Sequence, residues 1–303
     1  MNLYKLSFVL LASILILSCE DTVDVKLREA EAVLVVDAWI NDKAEDQHII
    51  LTESQPYFDN TMPPPITGAT VSIIGSQGQV YDFTEMSNGD YVWQPTASTP
   101  TFGIIGESYT LNIQLADGSV YQSSTTMNRT AELDSISYTF EEADAFFPDA
   151  YIGEFYARDP EGSGDSYWIR TYKNGQLLNK PSEINIAFDA AFSEGSNFDG
   201  IVFIQPIRQG MNPLDQDEDD NFLAPYTVGD SAYVEIHSIS NEAFYYLSEV
   251  TIQTDRPGGF GELFAQPLAN VPTNIVPAEG ASLEAVGFFN IASVSGLGKK
   301  VTE

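Results

Sequence analysis

A mainly β fold follows from three features of this 303-residue chain: strand-length segments that alternate apolar and polar residues, tight-turn dipeptides between them, and a single persuasive helix. The expected architecture is an N-terminal immunoglobulin-like or transthyretin-like β-sandwich over residues 32–130. A β-rich domain, barrel-like or sandwich, follows over residues 131–303 with one packed helix near 241–250. Two domains are also the default at this length.

The first elements are not part of that fold. Lys5 supplies a positive charge, Leu6 to Leu17 an apolar run, and Ile16-Leu17-Ser18-Cys19 a lipobox, so residues 1–18 read as a lipoprotein signal peptide. Cys19 is the sole cysteine. A spanning helix needs about 20 apolar residues, and Cys19-Glu20-Asp21 closes this run sooner. A secreted chain without lipid would carry a lone thiol into an oxidising compartment. Cys19 is therefore expected to become the acylated first residue of the mature chain, with residues 19–31 as a charged tether. Two or more acyl chains hold a protein stably, where one holds only marginally.

Strand signals then follow one another at Val33 to Ile40, Gln47 to Glu53, Ala69 to Ile74, Gln79 to Thr84, Asp90 to Gln94, Glu107 to Leu115 and Ser119 to Met127. Asn88-Gly89 and Asp117-Gly118 supply the positive φ angles of hairpin turns, while Pro63-Pro64-Pro65 forbids regular structure. Tyr109 to Leu115 alternates cleanly, the mark of a strand with one buried and one solvated face. This density of short strands points to a sandwich, here without a disulfide.

In the second block, strands are expected at Leu133 to Phe140, Tyr151 to Arg158, Ser166 to Tyr172, Glu183 to Phe188, Gly200 to Gln205, Ser231 to Ile239 and Glu284 to Ser293. Asn174-Gly175 is a further hairpin signal. The helix from Asn241 to Val250 has Ser240 as its cap, Glu242 in its first turn, and Phe244, Leu247 and Val250 on one face. Pro- and Gly-rich links fill Arg256 to Gly261 and Gln266 to Gly280.

Charge bounds the partners. Thirteen Lys and Arg stand against 44 Asp and Glu, a formal charge of -31. Nucleic acid is excluded as a natural partner, because phosphate binding runs on clustered Lys and Arg. Cations are attracted instead. An apolar fraction of 43%, with 12% aromatic residues, supplies a packed core, so the acidity does not signal disorder.

The reactive groups of an enzyme are sparse. His48 and His237 are the only histidines, and both read as satisfied surface residues, His237 on the polar face of its strand. Lipidation of Cys19 removes thiol catalysis and multi-cysteine zinc sites. The chain has no G-x-S-x-G elbow and no phosphate-binding glycine loop. Carboxylate pairs are too abundant here to point to glycoside hydrolysis. Asp215, Asp217, Asp219 and Asp220 begin like a Ca²⁺ loop, but Asp220 stands where glycine is wanted and Tyr226 where a bidentate Glu belongs. A solvated loop is the competing reading, and it also covers Asp159, Glu161 and Asp165. Asn128-Arg129-Thr130 is a chance match to a glycosylation sequon. Phe146 and Phe147, beside Pro148 in an acidic stretch, are candidate contact residues; loop aromatics also tuck onto cores.

Ordered short segments carry a family resemblance: Val33 to Ile40, Ile66 to Val71, Asp159 to Gly162, Tyr167 to Arg170, Gly229 to Ser231, Val234 to Ile239, Pro272 to Ile275 and Gly287 to Phe289. Together they resemble the domain-of-unknown-function 4249 family, lipoproteins of Gram-negative bacteria typically encoded beside TonB-dependent outer-membrane receptors. Glu20 and Asp21 resemble the acidic signal that exports such lipoproteins to the outer face of the outer membrane. The resemblance supplies no catalytic residue. It implies a non-enzymatic, lipid-anchored surface protein accessory to a TonB-dependent transporter. An independent adhesin or glycan-binding module is the alternative, and a surface hydrolase the third reading.

Overall fold

The computed structural model describes residues 31–56, 59–143, 149–194, 198–213 and 225–302. Its first strand shows how sequence alternation becomes architecture. In β1 (Leu34–Asn41), Leu34, Val36, Ala38 and Ile40 are buried on one face, while Val35, Asp37 and Trp39 point the other way. The antiparallel strands β2 (Gln47–Glu53), β3 (Thr70–Gly75), β4 (Val80–Ser87), β6 (Ser108–Gln114) and β7 (Val120–Thr126) repeat that pattern, while β5 (Asp90–Trp93) buries Tyr91, Val92 and Trp93 in succession. All seven lie where alternation and turn residues place them. Gly89 turns β4 into β5 at φ +76, and Gly118 turns β6 into β7 at φ +93.

The second group comprises β8 (Leu133–Glu141), β9 (Ala150–Ala157), β10 (Ser166–Lys173), β11 (Gln176–Leu178), β12 (Asn185–Phe188), the short helix α1 (Gln205–Gln209), β13 (Ser231–Ile239), and α2 (Asn241–Thr254). The chain ends with β14 (Val276–Pro277), β15 (Ala285–Ala292) and β16 (Val294–Lys300). Asn174 and Gly175 both adopt positive φ, 51 and 81, in the β10–β11 hairpin. Ser240 caps α2 by accepting the Ala243 N–H at 3.1 Å, and the helix runs four residues past the expected Val250.

One expected strand is absent. Within Gly200 to Gln205, Val202 makes only an isolated bridge to Arg158, and Gln205 opens α1. Pro206 explains the change, since it lacks a ladder N–H yet suits the first turn of a helix.

The first sheet has nine strands in the order β14-β7-β6-β3-β4-β5-β2-β1-β15. Strand β4 pairs with both β3 and β5, so the two layers of the sandwich are continuous through it. Asn128, just after β7, bridges Ala292 at the end of β15, which nearly closes the sheet into a barrel. The barrel is filled by aliphatic residues such as Leu34, Ile49, Ile73 and Leu111, and by stacked aromatic rings, with Tyr81 and Phe102 4.0 Å apart. Strand β15 runs parallel to β1 in the register Leu34 to Ala285 through Asn41 to Ala292. The division expected near residue 130 is therefore crossed by β14 and β15, and residues 32–303 form one unit. The Asn274 side chain both donates to and accepts from the Phe289 backbone, at 2.8 and 3.0 Å, covering the outer edge of β15.

The second sheet takes the order β11-β10-β13-β16, with β12 also on β10, while β8 and β9 form a separate pair. Phe155, Tyr167, Ile169, Phe203, Val234 and Ile236 share its core. A third, smaller cluster lies where α2 meets both sheets: Phe188, Ile239, Phe244, Leu247 and Phe288, with Trp39, Trp168 and Tyr246 packed on it.

Candidate functional site

Strand alternation sends two sets of side chains toward each other at that third cluster. On β10, Tyr167, Ile169 and Thr171 are buried in the second core, so Trp168 and Arg170 face the opposite way. On β1 the outward residues Val35, Asp37 and Trp39 meet them. Helix α2 adds Tyr246, Leu247 and Val250, and the segment after β10 adds Leu177, Leu178, Asn179, Glu183 and Ile184. The result is an open cleft of about 400 Å³, within the range of small-molecule sites. Gly287 forms part of its floor and lies in register with Val36 at φ +95.

Aromatic rings shape one wall. Trp39 stacks on Phe288 at 5.8 Å and meets Trp168 edge-on at 5.1 Å, while Tyr246 lies 4.7 Å from Phe288. The Arg170 guanidinium sits over the Trp168 ring at 4.9 Å. Of the five described arginines, Arg129, Arg158, Arg208 and Arg256 all donate to protein oxygens. Arg170 does not, and its Nε is buried without a hydrogen-bond partner among the described residues. Asp37, a charged group on the facing strand, likewise has no hydrogen-bond partner among the described residues. Its surface is reached by solvent, but protein surrounds it on most sides. That loss of water raises the Asp37 carboxyl, against the opposing pull of Arg170.

Beside the cleft, on the same face of the second sheet, lies a buried polar network. Trp168 is in register with His237, and Arg170 with Glu235. Glu235, 1% exposed, accepts from Lys43 at 2.6 Å and from His237 Nε2 at 2.9 Å. Burial pushes its carboxyl up, but hydrogen bonds from His237 and Lys43 outweigh that and hold it at about 2. An ionised carboxylate only accepts, so Nε2 of His237 carries the proton. Burial lowers the His237 pKa and keeps the ring neutral, although Glu235 pulls the other way. The expectation of a solvated His237 is thus corrected: the turn after β1 brings Lys43 over this face and closes it from water. His48 is exposed and pairs with Asp90 at 3.0 Å, as a surface histidine does.

The remaining sequence candidates resolve as follows. Asp159 is buried and accepts from Tyr167 at 2.6 Å and from the Gly200 N–H at 3.0 Å. Arg129 binds Asp165 and the carbonyls of Glu161 and Gly162, so this turn is closed by its own contacts. Asn128 of the sequon donates to the Ile239 carbonyl at 3.3 Å. Among the described residues no cluster of His, Cys, Asp and Glu could hold a metal. Cys19, Glu20 and Asp21, the acidic run with Asp215, Asp217, Asp219 and Asp220, and the pair Phe146 and Phe147 lie outside the described residues.

Sequence reasoning named Trp39, Trp168 and Arg170 only as parts of recurring segments, and did not single out Asp37 or Tyr246. One signal was visible: Asp37 interrupts the apolar run Val33 to Ile40. The convergence of β1 and β10 was not.

Among curated proteins, none matches the chain. Among solved structures, the crystal structure of murine CEACAM1b is similar at 11% identity, covering 68% of this chain and 92% of that one, with a TM-score of 0.16. A family model described as "Domain of unknown function (DUF4249)" matches residues 20–296. On that match, spanning nearly all of its length, the chain belongs to the DUF4249 family.

Proposed function

We propose that this protein is a non-enzymatic, lipid-anchored lipoprotein of the outer membrane, displayed at the cell surface, that captures a small nutrient for a TonB-dependent transporter. The observation that carries the reading is the cleft between the two sheets, where aromatic side chains, an arginine and an aspartate line one space and neither charged group has a hydrogen-bond partner among the described residues. Its lining contains no hydroxyl nucleophile of Ser or Thr, no thiol and no imidazole, which supports capture over covalent chemistry. The lipobox ending at Cys19 supports the anchor, and Glu20 and Asp21 support export to the outer face. Acyl chains confine a protein to the membrane plane and raise its effective concentration at any receptor there. The receptor itself is argued by analogy with the company this family keeps.

Crosslinking in native outer membranes followed by affinity purification tests the partnership. Recovery of a TonB-dependent receptor supports it, and recovery of no outer-membrane receptor ends it. Protease shaving of intact cells reads the leaflet, since a surface protein is digested and a periplasmic one is not.

A further inference from the structure

Arg170 is anomalous in this chain. With 44 Asp and Glu available to 13 Lys and Arg, a guanidinium has many potential partners, and the other four described arginines all donate to oxygens. The Arg170 guanidinium instead sits 4.9 Å over the Trp168 ring, with a buried Nε that meets no acceptor among the described residues. An unsatisfied buried donor costs stability, and the terminal guanidinium nitrogens likewise have no acceptor among the described residues, so they are the donors left for a ligand. Asp37 offers the complementary charge, a solvent-reached carboxylate in the same cleft with no hydrogen-bond donor among the described residues. The two are near enough for Arg170 to act on Asp37, yet they form no salt bridge. Around them the cleft is mostly apolar, lined by Leu177, Leu178, Val250, Trp39 and Tyr246.

We propose that the cleft binds a zwitterionic, amino-acid-like ligand with an apolar side chain: Arg170 takes the carboxylate, Asp37 the ammonium, and the apolar walls the side chain. This inference rests on the reading of the cleft as a ligand site. A planar guanidinium matches a carboxylate with paired N–H donors. An ammonium gives Asp37 the donor it lacks. The zwitterion is neutral overall, so the acidic body does not repel it as it would a simple organic anion. Apolar bulk against Trp39, Tyr246 and the leucines supplies affinity that a hydroxyl-covered sugar ring would gain only through its C–H faces. Free amino acids and short peptides share this chemistry, and the separation of their two charges distinguishes them.

The test is calorimetry on the full mature chain, with L-leucine, L-phenylalanine and the dipeptide of the two as probes. N-acetyl-L-phenylalanine lacks the ammonium, L-phenylalaninamide lacks the carboxylate, and glucuronic acid and galactose are the saccharide probes. Binding of at least one zwitterion is expected, weakened about tenfold or more by Arg170→Met and by Asp37→Asn. The blocked ligands reproduce the pattern: amidation costs affinity in the wild type but little further in Arg170→Met, and acetylation costs little further in Asp37→Asn. Preference for the amino acids or for the dipeptide identifies the source. Equal affinity for the zwitterion and both blocked forms overturns the assignment. So does saccharide binding that Arg170→Met abolishes, although the cleft then remains a ligand site. Binding of no probe by a chain whose circular dichroism shows it folded overturns the zwitterion proposal, while receptor capture in the crosslinking experiment would still stand or fall separately.

Discussion

The ammonium of Lys43, on the turn after β1, lies 2.6 Å from the carboxylate of Glu235 in the middle of β13. This contact ties the first sheet to the second directly beside the proposed ligand site. Glu235→Gln leaves Lys43 facing a neutral acceptor and should cost about 2–3 kcal/mol, read by urea denaturation. The pH dependence has a definite sign. The folded pKa of Glu235 is depressed from 4.5 to about 2, so its stabilisation is full above 4.5 and is lost as pH falls toward 2. His237 is depressed from its ordinary value of 6.5, so stability begins to fall once the unfolded imidazole takes up protons below that pH. Wild-type stability should decline from about pH 6.5 downward, and Glu235→Gln should flatten the more acidic part of that decline.

Asp37 has the opposite linkage. Its carboxyl is raised by burial in the cleft wall, so the folded state binds the proton more tightly than the unfolded chain. Its contribution is most favourable at low pH and declines as pH rises through its ordinary value of 3.8. Asp37→Asn should therefore raise Tm at neutral pH, by about 2 °C because the side chain still meets solvent, with no gain at pH 3. A variant that loses ligand while gaining stability marks a residue kept for binding.

Gly287→Ala should be among the most damaging single changes in the first sheet. The residue holds φ +95, and an added Cβ would collide with the Val36 carbonyl on the neighbouring strand. Backbone strain and the collision together should cost about 3 kcal/mol or more, visible as a lowered midpoint in chemical denaturation.

Cys19→Ala removes the sulfur that would carry the lipid. The variant is expected to lose its stable membrane association, and fractionation of cells followed by immunoblotting reads the shift. The wild-type protein should show the mass of an acylated N-terminal cysteine.

Legibility in the sequence followed the range of the interactions. Strands β1 to β7 carry local turn residues and, β5 apart, a period-two pattern, so each could be read from its own segment. Strand β16 could not. Gly296 and Gly298 break its alternation because the Tyr233 ring of β13 lies across them, a cross-strand relation that no local window contains. His237 was misplaced for a similar reason: its alternation put it opposite the second core, but the turn bearing Lys43, nearly two hundred residues earlier, covers it. The cleft depends on the same kind of distant convergence. Asp37 and Arg170 each look unremarkable on their own strands, and their missing partners are visible only once β1 and β10 face each other.

The parallel pairing of β1 with β15 bears on how the molecule is made. Residues 34–41 reach their neighbour only when residues 285–292 are available, so almost the whole polypeptide must leave the ribosome before the sheet acquires its last inner partner. If export is threaded from the N-terminus, one flank of β1 waits with its backbone unmatched while the rest of the chain arrives, a slow long-range closure that exposes a strand edge to aggregation. Chaperones that hold unfolded chains are the natural guardians of such an interval, and a chain stopped before Ala285 would remain their client.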